Sequence, residues 1–395
     1  PFLLLSGQST QAGAQQPTPQ AAAPPTAEPS QTPPPARLSV ESEPAGATVF
    51  VDGVQRGISP LTIEDVEPGP HRLRLSMPAH DEWQSEVVVS AGQTSRVEVF
   101  LPAIPSPTPA PSPTPSGPLY PIAVMVENSV SARPQSGLAR ADIVYEALTE
   151  GWITRFMAIY VNGESDVIGP VRSARHYFVY LACEFNAPYV HIGASPQGYD
   201  ALRATGLPNL DETHGDPGFW RIRARYAPHN AYTSTSLIRS SLERVWKVKP
   251  GSLAGFAFRE ESDPVQGEAA GEISLTFPAG YSVKYVYSPE DGSYHRYMDG
   301  VPHEDAETGE QVSPRNVVVQ FVRSWVIDDV GRLDMAQVGQ GKALYFRDGV
   351  VTEGYWSKSS PTAPTQWYDS QNEPVRMNPG KIWVQIIPSS VKLSY

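Results

Sequence analysis

Gly169-Pro170-Val171-Arg172-Ser173-Ala174-Arg175 sets two arginines where a helix least favours cations. Pro170 suits a first helical position, where its missing N–H costs nothing. Val171, Ala174, Phe178, Leu181, Ala182 and Phe185 then recur at helical spacing, which predicts a helix over 171–185. Arg172 and Arg175 would lie one turn apart at the positive end of its dipole. An anion there reverses the penalty, because free backbone N–H groups and two guanidinium forks converge on it. Two occupants fit: an external ligand, or a carboxylate of this chain. A start with Ser173 as N-cap leaves the same alternatives.

Other polar residues gather at element ends nearby. Glu127 closes a first predicted strand, and Glu146 and Glu150 precede Thr154-Arg155 at the start of the second. His191 ends the third, and Ala227-Pro228-His229-Asn230 is a tight segment before a later helix. In open α/β sheets functional groups collect at strand ends. Glu127, Glu146, Glu150 and His229 are therefore the acid/base candidates. The ligand-binding candidates are Arg155, Arg172, Ser173, Arg175, His191, His229 and Asn230. The competing reading pairs the glutamates with Arg155, Arg172 and Arg175. Ser173 as a nucleophile with His191 or His229 as base is the weaker alternative to Ser173 as a helix cap. Neither His295 nor His303-Glu304-Asp305 shows a metal-ligand spacing, and phosphate-loop and dinucleotide fingerprints are absent, so no metal and no cofactor is expected. Trp152, Trp220, Tyr226, Trp356, Trp367 and Tyr368 fit either a sugar-stacking surface or packing.

These residues need elements to hold them. Apolar residues at 40% suffice for real cores, but 41 prolines are too many for one compact fold and mark linkers. The net charge of −12 argues against nucleic acid as a partner. That charge is uneven: residues 121–250 carry 13 basic and 12 acidic side chains, while residues 37–102 carry 5 and 10. Cys183 is the sole cysteine, and its aromatic neighbours predict a buried structural thiol. Pro1-Phe2-Leu3-Leu4-Leu5-Ser6-Gly7 resembles the end of a signal or anchor segment. Gln8 stands where a lipid-bearing cysteine would be, so the expectation is export, or a membrane tether at the N-terminus, without a lipid anchor.

Residues 1–36 join that remnant to a Gln/Thr/Ala/Pro-rich stretch too polar to order itself. Residues 103–118, with proline near every second position, form a stiff spacer. Between them residues 37–102 predict a small all-β unit: alternating Leu73/Leu75, Val87/Val89 and Val97/Val99/Leu101, with a hairpin signal at Asp52-Gly53. Its Glu43-Pro44-Ala45-Gly46-Ala47, Val51-Asp52-Gly53, Gly57-x-Ser59-Pro60-Leu61 and Pro68-Gly69-Pro70-His71 resemble the PEGA domain in order and spacing. The resemblance implies a non-catalytic, sandwich-like β module common in envelope proteins.

Residues 119–250 predict an α/β layer, with strands at 122–126, 153–161 and 189–192 and helices at 141–148, 171–185, 199–204 and 236–245, the last capped by Thr235. Residues 251–395 predict an associated, mostly β subdomain, with strands at 283–287, 316–325, 343–346, 350–356 and 382–387. Asp291-Gly292, Asp299-Gly300 and Asp348-Gly349 supply its turns. Arg133-Pro134-Gln135-Ser136-Gly137-Leu138, Ala141 to Glu146, Glu150-Gly151, Thr154-Arg155-Phe156, Gly169 to Arg175 and Ala227 to Asn230 resemble the YerB-like bacterial lipoproteins. So do Gly300-x-Pro302-His303, Asn316 to Val319, Gly339-x-Gly341 and Asn378-Pro379-Gly380-Lys381-x-Trp383. The likeness covers residues 119–392 and implies an extracytoplasmic, envelope-associated protein, without an established reaction.

Three function classes follow. The first binds an anionic envelope ligand (glycan, peptide or lipid-linked) and assists wall or surface assembly; its partners are an anionic wall or surface component, or envelope proteins. The second is a hydrolase or transferase of wall material using glutamate acid/base chemistry, so whether a reaction is catalysed stays open. The third is a structural partner protein whose arginines brace its own carboxylates.

Overall fold

The computed structural model describes residues 36–77, 80–102, 120–251, 253, 255–261, 263–278 and 280–395. The leader-like remnant with its polar stretch before Ala36, and the proline-rich spacer at 103–118, lie outside the described residues. The chain forms two compact units, parted near residue 106.

The first unit is all β. It comprises β1 (Ala36–Glu43), β2 (Thr48–Val51), β3 (Val54–Ile58), β4 (Leu61–Val66), β5 (Gly69–Ser76), β6 (Trp83–Val89) and β7 (Thr94–Phe100). They make two sheets, ordered β4-β1-β7 and β3-β2-β5-β6. The alternating inward residues Leu38, Val40, Val49, Leu73 and Leu75 of both sheets join in one core. Asp52 at φ 52° and Gly53 at φ 82° turn β2 into β3.

The second unit is mostly β, and among the described residues its α-helices fall between residues 176 and 245. It opens with β8 (Ile122–Glu127), β9 (Ile143–Leu148), β10 (Thr154–Tyr160), α1 (His176–Glu184), β11 (Tyr189–His191), α2 (Pro196–Thr205) and β12 (Asn209–Asp211). A short hairpin follows, β13 (Trp220–Arg221) and β14 (Ala231–Tyr232), then α3 (Thr235–Val245). One sheet runs β12-β11-β8-β10-β9 and continues through Ile382–Ile387, Asn316–Phe321, Gly339–Arg347, Val350–Lys358 and Glu268–Ala269, with Gln366–Asp369 paired to Val350–Lys358. Strand–helix alternation with parallel pairing is confined to β8, β11 and β12. Strands from both sides of residue 250 therefore share a single sheet, because Ile382–Ile387 pairs in parallel with β9. The unit also holds a five-stranded sheet, from Val301–Pro302 through Ser293–Met298, Ser282–Ser288 and Glu272–Thr276 to Lys392–Ser394. Asp299 and Asp348 adopt φ 51° at the predicted hairpin turns.

Three expectations are corrected here. Residues 143–148 form a strand, not a helix: all six are buried, and a strand covered on both faces loses the alternation that would announce it. The helix predicted from Val171 begins at His176. Residues 169–175 are instead an extended strap, with Val171 bridged to Val126 and Ala174 to Ala194. Gly169 starts the strap at φ 152°, where a Cβ would come within 2.9 Å of the Ala231 carbonyl. Sheet contacts made at long range override the local helical spacing. The two arginines consequently stand ahead of the first turn of α1, with Arg175 in the N-cap position. For α3 the cap is Ser234, whose Oγ accepts from Leu237 N–H at 3.2 Å, and Thr235 is the first helical residue.

Candidate functional site

Glu127 ends β8, and Arg155 faces it across the β8–β10 ladder. The strap crosses this strand end: Glu127 N–H donates to Pro170 O, and Arg172 N–H to Met125 O, both at 2.9 Å. Arg172 Nε thereby stands 3.1 Å from Glu127 Oε1. The hairpin β13–β14 delivers His229, whose Nδ1 lies 2.7 Å from Glu127 Oε2. Ser129 Oγ donates to Oε1 at 3.0 Å. A carboxylate only accepts, so His229 Nδ1 is the donor in this contact, and among the described residues its Nε2 has no hydrogen-bond partner. The Glu127 side chain is 5% exposed, whereas Arg172 and His229 are each 25% exposed.

Glu150, just after β9, holds the other two arginines. Its Oε1 accepts from Arg175 Nε at 2.8 Å, and Arg175 Nη2 lies 2.6 Å from the same oxygen. Arg155 Nη2 is 3.7 Å from Oε2, while its Nη1 donates to Ser173 O at 2.8 Å. Burial opposes ionisation of Glu150, but the charges of Arg175 and Arg155 outweigh it and hold the carboxyl below its usual range. Burial, with Arg175 alongside, lowers the Arg155 guanidinium to about 10. Three guanidinium groups thus face two carboxylates, and one positive charge is left over.

Glu146 belongs to a different setting. Fully buried, it accepts from Thr154 Oγ1 (2.7 Å), Tyr281 OH (3.2 Å), Arg296 Nη2 (2.8 Å) and Trp383 Nε1 (3.2 Å). Arg296 Nη1 donates to His303 Nδ1 at 2.5 Å, and His303 Nε2 donates to Gln135 Oε1 at 3.0 Å. Burial and the Arg296 charge push His303 far below its ordinary value. Gln135 Nε2 in turn donates to Glu127 O and to Asn128 Oδ1, both at 3.0 Å. This network fixes the backbone on which Glu127 sits.

The remaining candidates divide. His191 is buried, with Nδ1 on Gly193 O at 2.9 Å, and burial lowers its pKa. Asn230 Oδ1 accepts from Arg221 Nη1 at 2.8 Å within the hairpin. Ser173 follows Arg172 on the strap, and among the described residues its Oγ has neither histidine as a partner; His229 is engaged by Glu127 and His191 by Gly193. Trp356 and Trp367 are packed in the core, while Trp152 and Tyr226 are exposed. Cys183 is half-buried, and burial raises its pKa. His303 and Asp305 are tied internally, Asp305 Oδ2 accepting from Ala139 N–H at 2.8 Å. Grooves of about 450, 490 and 420 Å³ border Trp246 and include none of the predicted site residues.

Sequence reasoning did not single out Asn128, which follows Glu127 directly, nor Gln135 and Arg296, which reach the site through tertiary contacts. It also missed Arg221, Arg223 and Arg225, spaced by two just before Ala227-Pro228-His229. The balanced charge of residues 121–250 masked that local excess.

Architecture and site together define a class: a β-rich protein with a small all-β module ahead of a larger unit that carries a buried polar network and an arginine-rich strap. Residues 36–104 match the PEGA domain, residues 108–247 the N-terminal domain and residues 273–384 the C-terminal domain described as "Protein of unknown function (DUF3048)". The chain is 35% identical over 285 residues to the protein named "Putative lipoprotein YerB" of Bacillus subtilis (strain 168), covering 68% of this chain and 81% of that one. It superposes on the crystal structure of the YerB protein from Bacillus subtilis with a TM-score of 0.63 at 33% identity, covering 72% of this chain and 99% of the other. The chain belongs to the YerB family, with a PEGA domain preceding the family's two domains.

Proposed function

We propose that this protein is an extracytoplasmic envelope protein that binds an anionic group of a wall or surface component at Arg172 and His229, and thereby assists envelope assembly. The observation that carries the reading is the charge balance: three guanidinium groups over two carboxylates, the surplus lying where Arg155 and Arg175 share Glu150, with Arg172 and His229 the more exposed cationic and imidazole groups of the cluster. The surplus charge attracts an anion, and the free His229 Nε2 supplies a directional hydrogen-bonding group. The position at the carboxyl end of the parallel strands β8, β11 and β12 agrees with where such sheets hold ligands. The lipoprotein name of the Bacillus subtilis relative supports the envelope location.

The test is titration of galacturonate and of inorganic phosphate, with and without Arg172→Ala, followed by NMR. Binding by the native protein that Arg172→Ala abolishes in a folded variant supports the reading. Absence of binding to either probe leaves the arginines as braces for Glu127 and Glu150. A second reading, acid/base catalysis on wall material, rests on the 2.7 Å Glu127–His229 contact. It requires turnover of a wall fragment that His229→Ala removes and Arg172→Ala only weakens.

A further inference from the structure

The hairpin that delivers His229 carries more charge than the site needs. Ile222 N–H donates to Asn230 O and His229 N–H to Tyr226 O, both at 2.9 Å, so Arg223 follows the last pairing on the strand facing His229. Among the described residues Arg225 is anchored only by carbonyls, Nη1 to Ala132 O at 2.7 Å and Nη2 to Pro134 O at 2.9 Å. Arg223 is exposed, and among the described residues it has no ion pair or hydrogen bond. Tyr226, between Arg225 and the Ala227-Pro228 turn, is 90% exposed. Two cations without carboxylates and one bare phenol thus flank His229, in a chain whose net charge is −12.

The Glu150 side of the site offers a matching feature. Gly151 at φ 68° and Trp152 at φ 62° are consecutive left-handed residues immediately after Glu150. That conformation is unfavourable for a bulky aromatic. Trp152 remains 41% exposed and, among the described residues, its ring has neither a ring contact nor a hydrogen bond. Unpartnered aromatic rings stack on the flat faces of sugars, and guanidinium forks take the acidic groups between them.

We propose that Trp152, Arg223, Arg225 and Tyr226 extend the anion site into a binding face for an acidic polysaccharide, a polymer whose sugar rings meet the aromatics and whose repeated charges meet the arginines. This rests on the anion-binding reading of Arg172. A single small anion uses one surplus charge, whereas a polyanion uses all three.

Polygalacturonate, galacturonate and single-stranded DNA titrated into the full chain test the proposal, by calorimetry for the polymers and by NMR for the monomer. Arg223→Ala combined with Tyr226→Ala, and separately Trp152→Gly, alter exposed groups only, and glycine suits the backbone at 152. The expected result is at least a tenfold loss of polygalacturonate affinity in each variant with galacturonate binding unchanged, while Arg172→Ala removes both. Unchanged polymer affinity in both variants overturns the proposal but leaves the anion site standing. Tighter binding of DNA than of polygalacturonate also overturns it. Failure of the native protein to bind galacturonate removes the anion-site reading itself, and the extended face with it.

Discussion

Arg296→Met probes the buried network that supports the site. Arg296 and Glu146 are both fully buried, with Nη2 and Oε2 2.8 Å apart. The guanidinium also lies 4.5 Å from the Trp383 ring centroid and donates to His303. Methionine keeps much of the stem volume, so the substitution removes charge and donors rather than opening a large void. Three donors, Thr154, Tyr281 and Trp383, remain around a carboxylate that has lost its counter-charge. Removing one member of a buried pair costs roughly 3–5 kcal/mol. At about 2–4 °C per kcal/mol for a unit of this size, the melting temperature should fall by roughly 10 °C. Adding Glu146→Gln to the same variant should restore half or more of the loss, since the charge is gone and the amide oxygen still accepts. Urea denaturation of the four proteins closes the cycle. A single variant within about 1 kcal/mol of the native protein, or a double variant worse than the sum of the singles, would falsify this account.

Three other outcomes follow from the same geometry. Gly169→Ala places a Cβ 2.8 Å from Tyr232 Cδ1 and 2.9 Å from Ala231 O at φ 152°; a loss of roughly 2 kcal/mol or more is expected by thermal denaturation, with shifted NMR signals at Arg172. His191 and His303 are buried with lowered pKa values, so below about 6.5 the unfolded chain binds protons that the folded chain refuses. Stability of the second unit should fall with pH there, at up to about 1.4 kcal/mol per pH unit for each histidine, and His303→Gln should shallow the slope measured by urea melts. In the first unit the hydrogen bond that His71 Nδ1 donates to Asp52 raises the pKa of His71, so its contribution is present at acidic pH and fades as pH rises through the folded value; an NMR titration of His71 that shows an ordinary or lowered pKa would contradict this.

The first unit was the most legible part of the chain, because its strands alternate and its turn residues are of the Asp-Gly type, both local signals. Strands buried on one face and hairpins closed by Asp299 and Asp348 were readable for the same reason. Residues 143–148 were not, since Ile143 to Leu148 are covered on every side and spacing carries no information about such a strand. The strap at 169–175 failed differently: its helical spacing is real, but pairing with Val126 and Ala194 decides the backbone. In the site, Glu127, Glu150, Arg155, Arg172, Arg175 and His229 were all nameable from position, and they do meet. Their pairing was not, because Glu127 and His229 are joined across 102 residues.

The dependence of the site on the C-terminal segment has a direct physical basis. Gln135 fixes the carbonyl of Glu127 and the amide of Asn128, and Gln135 is itself held by His303, which is held by Arg296. Asn128 reaches Tyr281 and Thr154, and Thr154 reaches Glu146, the counter-charge of Arg296. Two of the routes out of the Glu127 strand end, through Gln135 and through Asn128, therefore pass to residues beyond 280. Ile382–Ile387 also occupies the sheet position beside β9, so without it β9 would expose an unpaired edge. A chain cut at residue 250 would lose the clamp on Glu127 and the cover of β9 together, and its arginines would lose the fixed carboxylates that orient them. The two family domains meet at this site as one folded body, and substitutions at Arg296, His303 or Gln135 should shift the NMR signals of Arg172 without touching it.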